Sequence, residues 1–158
     1  MGVGKTTVGK YLSENLTYDF IDVDDNKHWE KHGLSKKEQY DIFWNDREKF
    51  RDVETDVFKD VIVNGDKNSV IATGGSIVLR DENIEIMKSN GKIIYLSSDA
   101  ETLNGRILQQ GKAEYSLENT KEHMKSREHK YKIADFEIDT SNNSAEETCS
   151  SIISLLGL

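Results

Sequence analysis

Proline is absent from the 158-residue chain, and a single cysteine is present, Cys149. Without proline, the turns must be built from Gly, Asn, Asp and Ser, which favour turns for other physical reasons. One cysteine cannot form an intramolecular disulfide, so we expect a reducing, cytoplasmic setting. We expect Cys149 itself to be an ordinary packing residue on the face of a helix.

The sequence also lacks long apolar runs and any excess of positive charge. No segment approaches the ~20 apolar residues that a membrane-spanning helix needs, so no membrane partner is expected. Lys and Arg number 21 against 29 Asp and Glu, a formal net charge of −8, which argues against nucleic acid as a partner. Hydrophobic residues make up 35% of the chain, and the length of residues 1–158 fits one globular domain.

Strand-like and helix-like segments alternate along the chain. Short strands are predicted at residues 18–23, 68–73, 92–96 and 136–139. Helices are predicted at residues 6–16, 47–64, 81–89, 100–109, 117–133 and 145–156, and a polar helical stretch that breaks at residues 33–35 precedes the second of them. Ser35 and Glu38 have the spacing of a helix-starting capping box. This alternation predicts an α/β fold in three layers, with a parallel sheet flanked by helices.

A glycine-rich stretch matches most of a phosphate-binding loop. The pattern is G-x-x-x-x-G-K-[ST], and Gly4-Lys5-Thr6 matches its end. Glycines let several backbone N–H groups point at one phosphate, and the following helix adds its positive N-terminal end. We therefore predict ATP binding, with Lys5 at the β- and γ-phosphates and the Thr6 hydroxyl on Mg²⁺. The predicted ATP-binding residues of the loop are Gly2, Val3, Gly4, Lys5, Thr6 and Thr7.

Two parts of this phosphate-binding motif have no counterpart in the sequence: its first glycine and the strand that normally leads into the loop. That strand usually lies at the centre of the sheet. We therefore expect a P-loop fold without its first strand, whose neighbouring strands keep unpaired backbone groups. Either the natural protein begins before Met1 or this product lacks the strand, and the sequence leaves both alternatives open.

Four further motifs follow the loop in a fixed order. Residues 20–24, Phe-Ile-Asp-Val-Asp, have the form F-x-D-x-D, and residues 50–54 have the form F-R-x-x-E. Residues 72–75, Ala-Thr-Gly-Gly, match the start of an A-T-G-G-G turn, and residues 127–135 match a segment that follows a lid. Over nearly the whole chain this ordered set resembles shikimate kinase, a small member of the nucleoside-monophosphate-kinase-like group of P-loop enzymes.

The resemblance implies ATP-dependent phosphorylation of shikimate at its 3-hydroxyl, a step of aromatic amino acid biosynthesis. It places Asp24 at the substrate hydroxyls, where it would orient or deprotonate the attacking oxygen. Arg51 and Arg127 would bind the substrate carboxylate as planar, bidentate donors. The backbone N–H of Gly75 would approach the substrate. Glu54, one helical turn from Arg51, is expected to hold that guanidinium in place.

On the nucleotide side, the resemblance implies that Asp22 holds Mg²⁺ beside Thr6, through a water molecule, and that Arg106 stacks on adenine. The lid would span residues 109–116 and the substrate-binding segment residues 26–64. The family lid carries an R-P-L-L segment whose arginine neutralises charge during transfer, whereas this chain has neither arginine nor proline there. Lys112 is the nearest cation and is expected to take the catalytic role as a point charge.

Two smaller departures concern the turn and the substrate-binding segment. Ser76 stands where the family turn has its third glycine, and Asn45-Asp46 replaces the Gly-Glu pair before the F-R-x-x-E motif. Two alternatives therefore stay open beside a monomeric kinase for ATP and shikimate. One is another small-molecule P-loop kinase, such as a gluconate-type enzyme, which the two arginines disfavour. The other is a degenerate nucleotide-binding protein, which the missing lid arginine favours.

Overall fold

The computed structural model describes residues 2–111 and 116–158. Its strands are β1 (Asp19–Asp22), β2 (Ser69–Ala72), β3 (Ile94–Ser97) and β4 (Phe136–Asp139). Its helices are α1 (Lys5–Leu16), α2 (Asn26–Lys31), α3 (Lys36–Asn45), α4 (Arg47–Asn64), α5 (Asp81–Asn90), α6 (Ala100–Gln109), α7 (Leu117–Tyr131) and α8 (Ala145–Leu156). A short 3₁₀ turn covers Ile77–Leu79. The predicted α/β class with parallel strands is confirmed.

The strands form two parallel pairs and not one continuous sheet. β1 pairs with β2, with Asp19 opposite Ser69, and β3 pairs with β4, with Ile94 opposite Phe136. In the part of the chain that the structure describes, no strand hydrogen-bonds to both β2 and β3. An apolar groove of about 430 Å³ separates the pairs, lined by β2, β3, α1 and α8. Among the described residues, the edges of β2 and β3 that face this groove are therefore not paired with each other.

Local sequence signals set the ends of several helices. Ser35 and Glu38 form the predicted capping box at the start of α3, with the Ser35 hydroxyl accepting from the Glu38 N–H. Ser144 and Glu147 form a second capping box at the start of α8. Both boxes satisfy backbone N–H groups that a helix start leaves unpaired. Gly33 adopts a φ of 77°, a left-handed conformation that suits glycine, in the turn between α2 and α3.

Two hydrophobic cores lie under the two strand pairs. The larger one is built on α4 around Phe58, with Val23 and Trp29 fully buried against it. The indole N–H of Trp29 donates a hydrogen bond of 2.9 Å to the carbonyl of Val23, so the polar end of this ring is also satisfied. This core fixes the position of the residues that follow β1. No helix within the described ranges is long and apolar enough to cross a membrane.

The second core joins α1 to α8. Its buried residues are Val8, Leu12, Ile138, Cys149 and Ile152. Cys149 is only 2% exposed and lies on the face of α8 that packs into this core, as predicted for a packing residue. Because α1 begins at the glycine-rich loop, this core holds the loop against the β3–β4 half of the molecule.

Candidate active site

The glycine-rich loop lines a cavity of about 550 Å³ at the start of α1. Gly2 and Gly4 have φ values of 75° and 96°, which other residues rarely adopt. At Gly2 a Cβ atom would also lie 3.0 Å from Cγ1 of Ile107, so both backbone conformation and space exclude a side chain. Gly4 is the N-cap of α1, which places the positive end of the helix at the cavity. The loop thus has the shape that phosphate binding requires.

The Thr6 side chain contacts the end of β1. Its hydroxyl donates a 2.8 Å hydrogen bond to Oδ2 of Asp22, and Oδ1 of Asp22 accepts from the backbone N–H of Asp24 at 3.1 Å. A hydroxyl and a carboxylate oxygen are the hard donors that Mg²⁺ prefers, and Mg²⁺ beside phosphates needs only one or two protein oxygens. This pair therefore fits a magnesium ion, although no group of three or more potential ligands occurs among the described residues.

Lys5 lies between the glycine-rich loop and the predicted substrate-binding residues, which form the acceptor side of the site. Burial lowers the pKa of its ammonium group, the nearby Asp24 and Asp22 carboxylates raise that pKa, and the Arg127 guanidinium lowers it. These charges act on Lys5 only because the three side chains lie close to it. The structure therefore brings together one predicted ATP-binding residue, Lys5, and two predicted substrate-binding residues, Asp24 and Arg127.

Arg106 reaches the nucleotide cavity from α6. Its Nη2 donates to the backbone carbonyl of Thr140 at 2.7 Å, and its Nη1 donates to the Thr140 hydroxyl at 3.2 Å. The Thr140 hydroxyl donates in turn to the carbonyl of Ser97 at 3.0 Å. Arg106 is therefore fixed to the loop after β4, at the wall of the cavity where the sequence places it.

Several cavity-lining residues were missed by the sequence analysis. They are polar residues after β4: Thr140, Asn143 and Thr148. The signal was available, because residues 140–144 form a polar run directly after a predicted strand. In parallel sheets such a run lies at the edge where ligands bind.

The Gly74–Gly75 turn approaches the acceptor residues very closely. A Cβ atom on Gly75 would lie 3.3 Å from Nη1 of Arg127, and one on Gly74 would lie 3.2 Å from Oδ1 of Asp24. The Tyr131 hydroxyl donates to the Gly75 carbonyl at 2.9 Å, which ties the turn to α7. A side chain at Gly74 would displace the Glu54 carboxylate, and one at Gly75 would push against Arg127 and Tyr131. The structure thus gathers three of the predicted substrate-binding residues, Asp24, Gly75 and Arg127.

Arg51 does not have the partner that the sequence analysis expected. Its Nη1 donates to Oε1 of Glu48 at 2.5 Å, whereas Glu54 accepts a 2.7 Å hydrogen bond from the Ser76 hydroxyl. Both glutamates lie three residues from Arg51 on α4, so spacing alone could not decide between them. The difference in burial determines which glutamate pairs with Arg51. Glu54 is only 1% exposed and points at the Gly74–Gly75 turn, while Glu48 lies at the surface and also binds Arg80.

The predicted lid is described only in part. Gln109 and Gln110 line the nucleotide cavity, and Gly111 has a φ of 77°. Lys112, the predicted catalytic cation of the lid, lies outside the described residues. Its role stays a prediction.

A loop that can surround a phosphate, placed at the start of a helix and beside the ends of parallel strands, defines the class: a P-loop phosphotransferase. Comparison with known families identifies the particular one. The family model described as shikimate kinase matches residues 1–157. The chain belongs to the shikimate kinase family.

Curated relatives agree with this assignment. The shikimate kinase of Thermodesulfovibrio yellowstonii is 37% identical over 158 residues, which cover 97% of this chain and 88% of the relative. The shikimate kinase of Caldicellulosiruptor bescii is 34% identical over 160 residues, covering 98% of this chain and 90% of the relative.

Solved structures show the same similarity. A shikimate kinase from Acinetobacter baumannii in complex with shikimate has a TM-score of 0.83 at 28% identity, covering 99% of this chain and 88% of that one. The shikimate kinase from Aquifex aeolicus has a TM-score of 0.79 at 30% identity, covering 99% of this chain and 91% of that one. The P-loop α/β fold of the chain is therefore that of its family.

Proposed function

We propose that the protein transfers the γ-phosphoryl group of ATP to the 3-hydroxyl of shikimate. The observation that carries this proposal is the position of Lys5, whose charge is coupled both to Asp24 and to Arg127. A phosphate-binding lysine and the acceptor-binding residues thus share one site. Transfer needs that proximity, since catalysis in this class is positioning plus neutralisation of charge.

On the nucleotide side, the backbone of residues 2–7 would bind the phosphates and Lys5 would contact the transferred group. Arg106, which Thr140 holds at the cavity wall, would contact the adenine base. Thr6 and Asp22 would hold Mg²⁺, which supplies charge neutralisation to the phosphates when bound. The 2.8 Å hydrogen bond between their side chains supports this assignment, because it keeps the Thr6 hydroxyl and the Asp22 carboxylate close enough to bind the same ion.

On the acceptor side, Asp24 would orient or deprotonate the attacking hydroxyl, while Arg127 and Arg51 bind the carboxylate. Arg51 must then leave Glu48. That exchange costs little, because the Glu48 side chain is 70% exposed and an exposed ion pair contributes at most about 1 kcal/mol. The backbone N–H of Gly75 would complete the acceptor contacts, and Lys112 would supply the lid cation.

The direct test is a coupled ADP-release assay with shikimate, the methyl ester of shikimate and gluconate as acceptors. Release should rise strongly with shikimate and only weakly with the ester, which lacks the charge that the arginines bind. Stimulation by gluconate alone would instead support the gluconate-type alternative. A folded preparation that binds ATP but responds to none of the three would support a degenerate nucleotide-binding protein.

Asp22→Asn tests the metal assignment. This variant should need several-fold more Mg²⁺ for half-maximal ADP release, because one charged oxygen at the site is lost. Asp19→Asn, in the same strand but at its other end, is the matched control and should leave the Mg²⁺ requirement unchanged. An unchanged requirement in Asp22→Asn would remove this residue from the metal site.

We also propose that the enzyme is a monomer that works in a reducing, cytoplasmic setting. The lone Cys149 thiol, which is buried, supports the setting because reduced thiols persist there. Light scattering coupled to size-exclusion chromatography should give the mass of one chain. The mass of a dimer would contradict the proposal.

A further inference from the structure

Glu54 is the most buried charged side chain of the acceptor side. It lies on α4 and is 1% exposed, and its Oε1 accepts a 2.7 Å hydrogen bond from the Ser76 hydroxyl. Its second oxygen, Oε2, is buried without a hydrogen-bond partner among the described residues. Within that part of the chain, the orientation of this carboxylate therefore depends on Ser76.

The surroundings of Glu54 are the acceptor residues themselves. A Cβ on Gly74 would lie 2.8 Å from Oε1 of Glu54 and 3.2 Å from Oδ1 of Asp24, so two carboxylates converge on this glycine. Burial raises the pKa of Glu54 to about 7, the Ser76 hydrogen bond lowers it, Asp24 raises it, and Arg127 and Arg51 lower it. The charged groups near Glu54 thus come from the loop after β1, from α7 and from its own helix.

Three consecutive residues of one turn connect these groups. A Cβ on Gly74 would meet Glu54 and Asp24, a Cβ on Gly75 would meet Arg127, and the Ser76 hydroxyl binds Glu54. The backbone of Ser76 has a φ of −88° and a ψ of −14°, which any residue can adopt. Ser76 is therefore not needed for the shape of the turn, and its hydroxyl is the part that acts on the site.

We propose, resting on the function proposed above, that Ser76 is a positioning residue for the acceptor. Its hydroxyl holds the buried Glu54 carboxylate in one orientation, and the negative charge of Glu54 acts on the nearby Arg127 and Arg51 guanidinium groups, although Arg51 keeps its hydrogen bond to Glu48. Loss of the hydroxyl leaves Glu54 without a hydrogen-bond donor among the described residues and favours its protonated form, which removes a negative charge from beside Arg127. The sequence difference at Ser76, a serine where the family turn has glycine, thus acts on acceptor binding.

Ser76→Ala tests this proposal through the split between KM and kcat. The KM for shikimate should rise about tenfold, while kcat and the KM for ATP change less than about twofold. The acidic limb of the pH profile of kcat/KM should move to higher pH by about one unit, because Glu54 then needs a higher pH to ionise. Ser76→Thr, which keeps a hydroxyl, should restore both values. An unchanged KM and pH profile in Ser76→Ala would overturn the proposal.

Glu54→Gln separates positioning from a general structural effect. This variant should raise the KM by a similar factor and remove the contribution of Glu54 to the acidic limb, so that Ser76→Ala no longer shifts it. In the double variant, Ser76→Ala should add nothing to Glu54→Gln, because Ser76 acts through Glu54. Additive losses would overturn the proposal. Ser13→Ala, a buried serine on α1 whose hydroxyl donates to Lys10, is the control and should leave the KM unchanged.

A measurement without substrate keeps this proposal distinct from the assignment of shikimate. Carbon-13 NMR of the Glu54 carboxyl follows its titration directly in the wild-type protein and in Ser76→Ala. The pKa should rise by about one unit when the hydroxyl is removed. If shikimate fails to stimulate ADP release, the proposed function falls, and the NMR titration still decides the inference. An unchanged pKa would overturn the control of Glu54 by Ser76 for any acceptor.

Discussion

Lys5 is the residue on which the two sides of the site depend. Its charge is coupled to Asp22, Asp24 and Arg127 together. Burial lowers the pKa of the Lys5 ammonium group, and a partly desolvated cation interacts more strongly with a phosphate. Its function is thus set by where the loop places it, at the first turn of α1.

Replacing this lysine should nearly abolish turnover. Lys5→Ala removes a fixed positive charge from the transferred phosphoryl group, so kcat should fall by roughly 10²- to 10³-fold. Lys10→Ala, on the exposed side of the same helix, is the matched control and should keep wild-type kcat. Steady-state ADP release measures both. Retained turnover in Lys5→Ala would show that the loop has been misassigned.

Arg127 should act on binding more than on chemistry. Arg127→Ala should raise the KM for shikimate roughly tenfold or more, with kcat within about threefold, because a bidentate contact to the carboxylate is lost. Lys125→Ala, an exposed change on the same helix, is the control. An unchanged KM would place Arg127 among the solvent-exposed arginines.

At the scale of single residues, the sequence was sufficient to predict a residue's role wherever a motif specifies backbone geometry. Gly2 and Gly4 were predictable because a phosphate loop needs positive φ values, and both have them. The partner of Arg51 was not predictable, because Glu48 and Glu54 have equal spacing on either side of it. That choice depends on which face of α4 is buried, which is a property of the tertiary structure.

Among the elements, α8 shows how a short sequence signal fixes a helix that the site depends on. Ser144 accepts from the Glu147 N–H, and Glu147 accepts from the Ser144 N–H at 2.8 Å. The helix that starts there packs against α1 and so supports the loop. Its start was predictable from sequence to the residue.

Removing this cap should destabilise the protein modestly. Ser144→Ala should lower the free energy of unfolding by about 1 kcal/mol, because one N–H at the start of α8 loses its acceptor. Ser150→Ala, at an exposed position of the same helix, should change it by less than about 0.5 kcal/mol. Denaturant unfolding followed by circular dichroism measures both, and equal effects of the two changes would contradict the assignment of the cap.

For the whole molecule, Glu54 makes stability depend on pH. Its pKa of about 7 in the folded protein exceeds the ordinary value of 4.5, since burial opposes its charge. Between these two values the folded protein holds a proton that the unfolded chain has released. The contribution of Glu54 to the free energy of unfolding is therefore fully present below pH 4.5. It is lost as the pH rises through the pKa that Glu54 has in the folded protein.

The difference in the free energy of unfolding between wild type and Glu54→Gln isolates this effect. From about pH 5.5 to about pH 8, the variant should gain roughly 2 kcal/mol of unfolding free energy relative to wild type. His28 and His123, whose pKa values are lowered by burial, titrate with the opposite sign but are present in both proteins. Glu85→Gln, at the surface of α5, should show no such gain. Denaturant unfolding at the two pH values measures the difference, and a constant difference would contradict it.

The overall arrangement was only partly predictable. The four strands and their parallel direction follow from the alternation of apolar and helical segments. The groove between β2 and β3 was not predicted, although an absent leading strand was expected to leave neighbouring strands with unpaired backbone groups. The grouping of Thr140 with Arg106 did not follow, because it joins segments 34 residues apart through a contact that no local pattern encodes.

Because Cys149 is buried, the rate at which its thiol is labelled can report on local opening of the structure. A thiol reagent can reach this sulfur only when α8 separates from α1, so the labelling rate counts those openings. Because α1 begins at the phosphate loop, ATP at a hundred times its dissociation constant should slow labelling about a hundredfold. One natural thiol would thus let nucleotide affinity be measured without an added dye and without turnover.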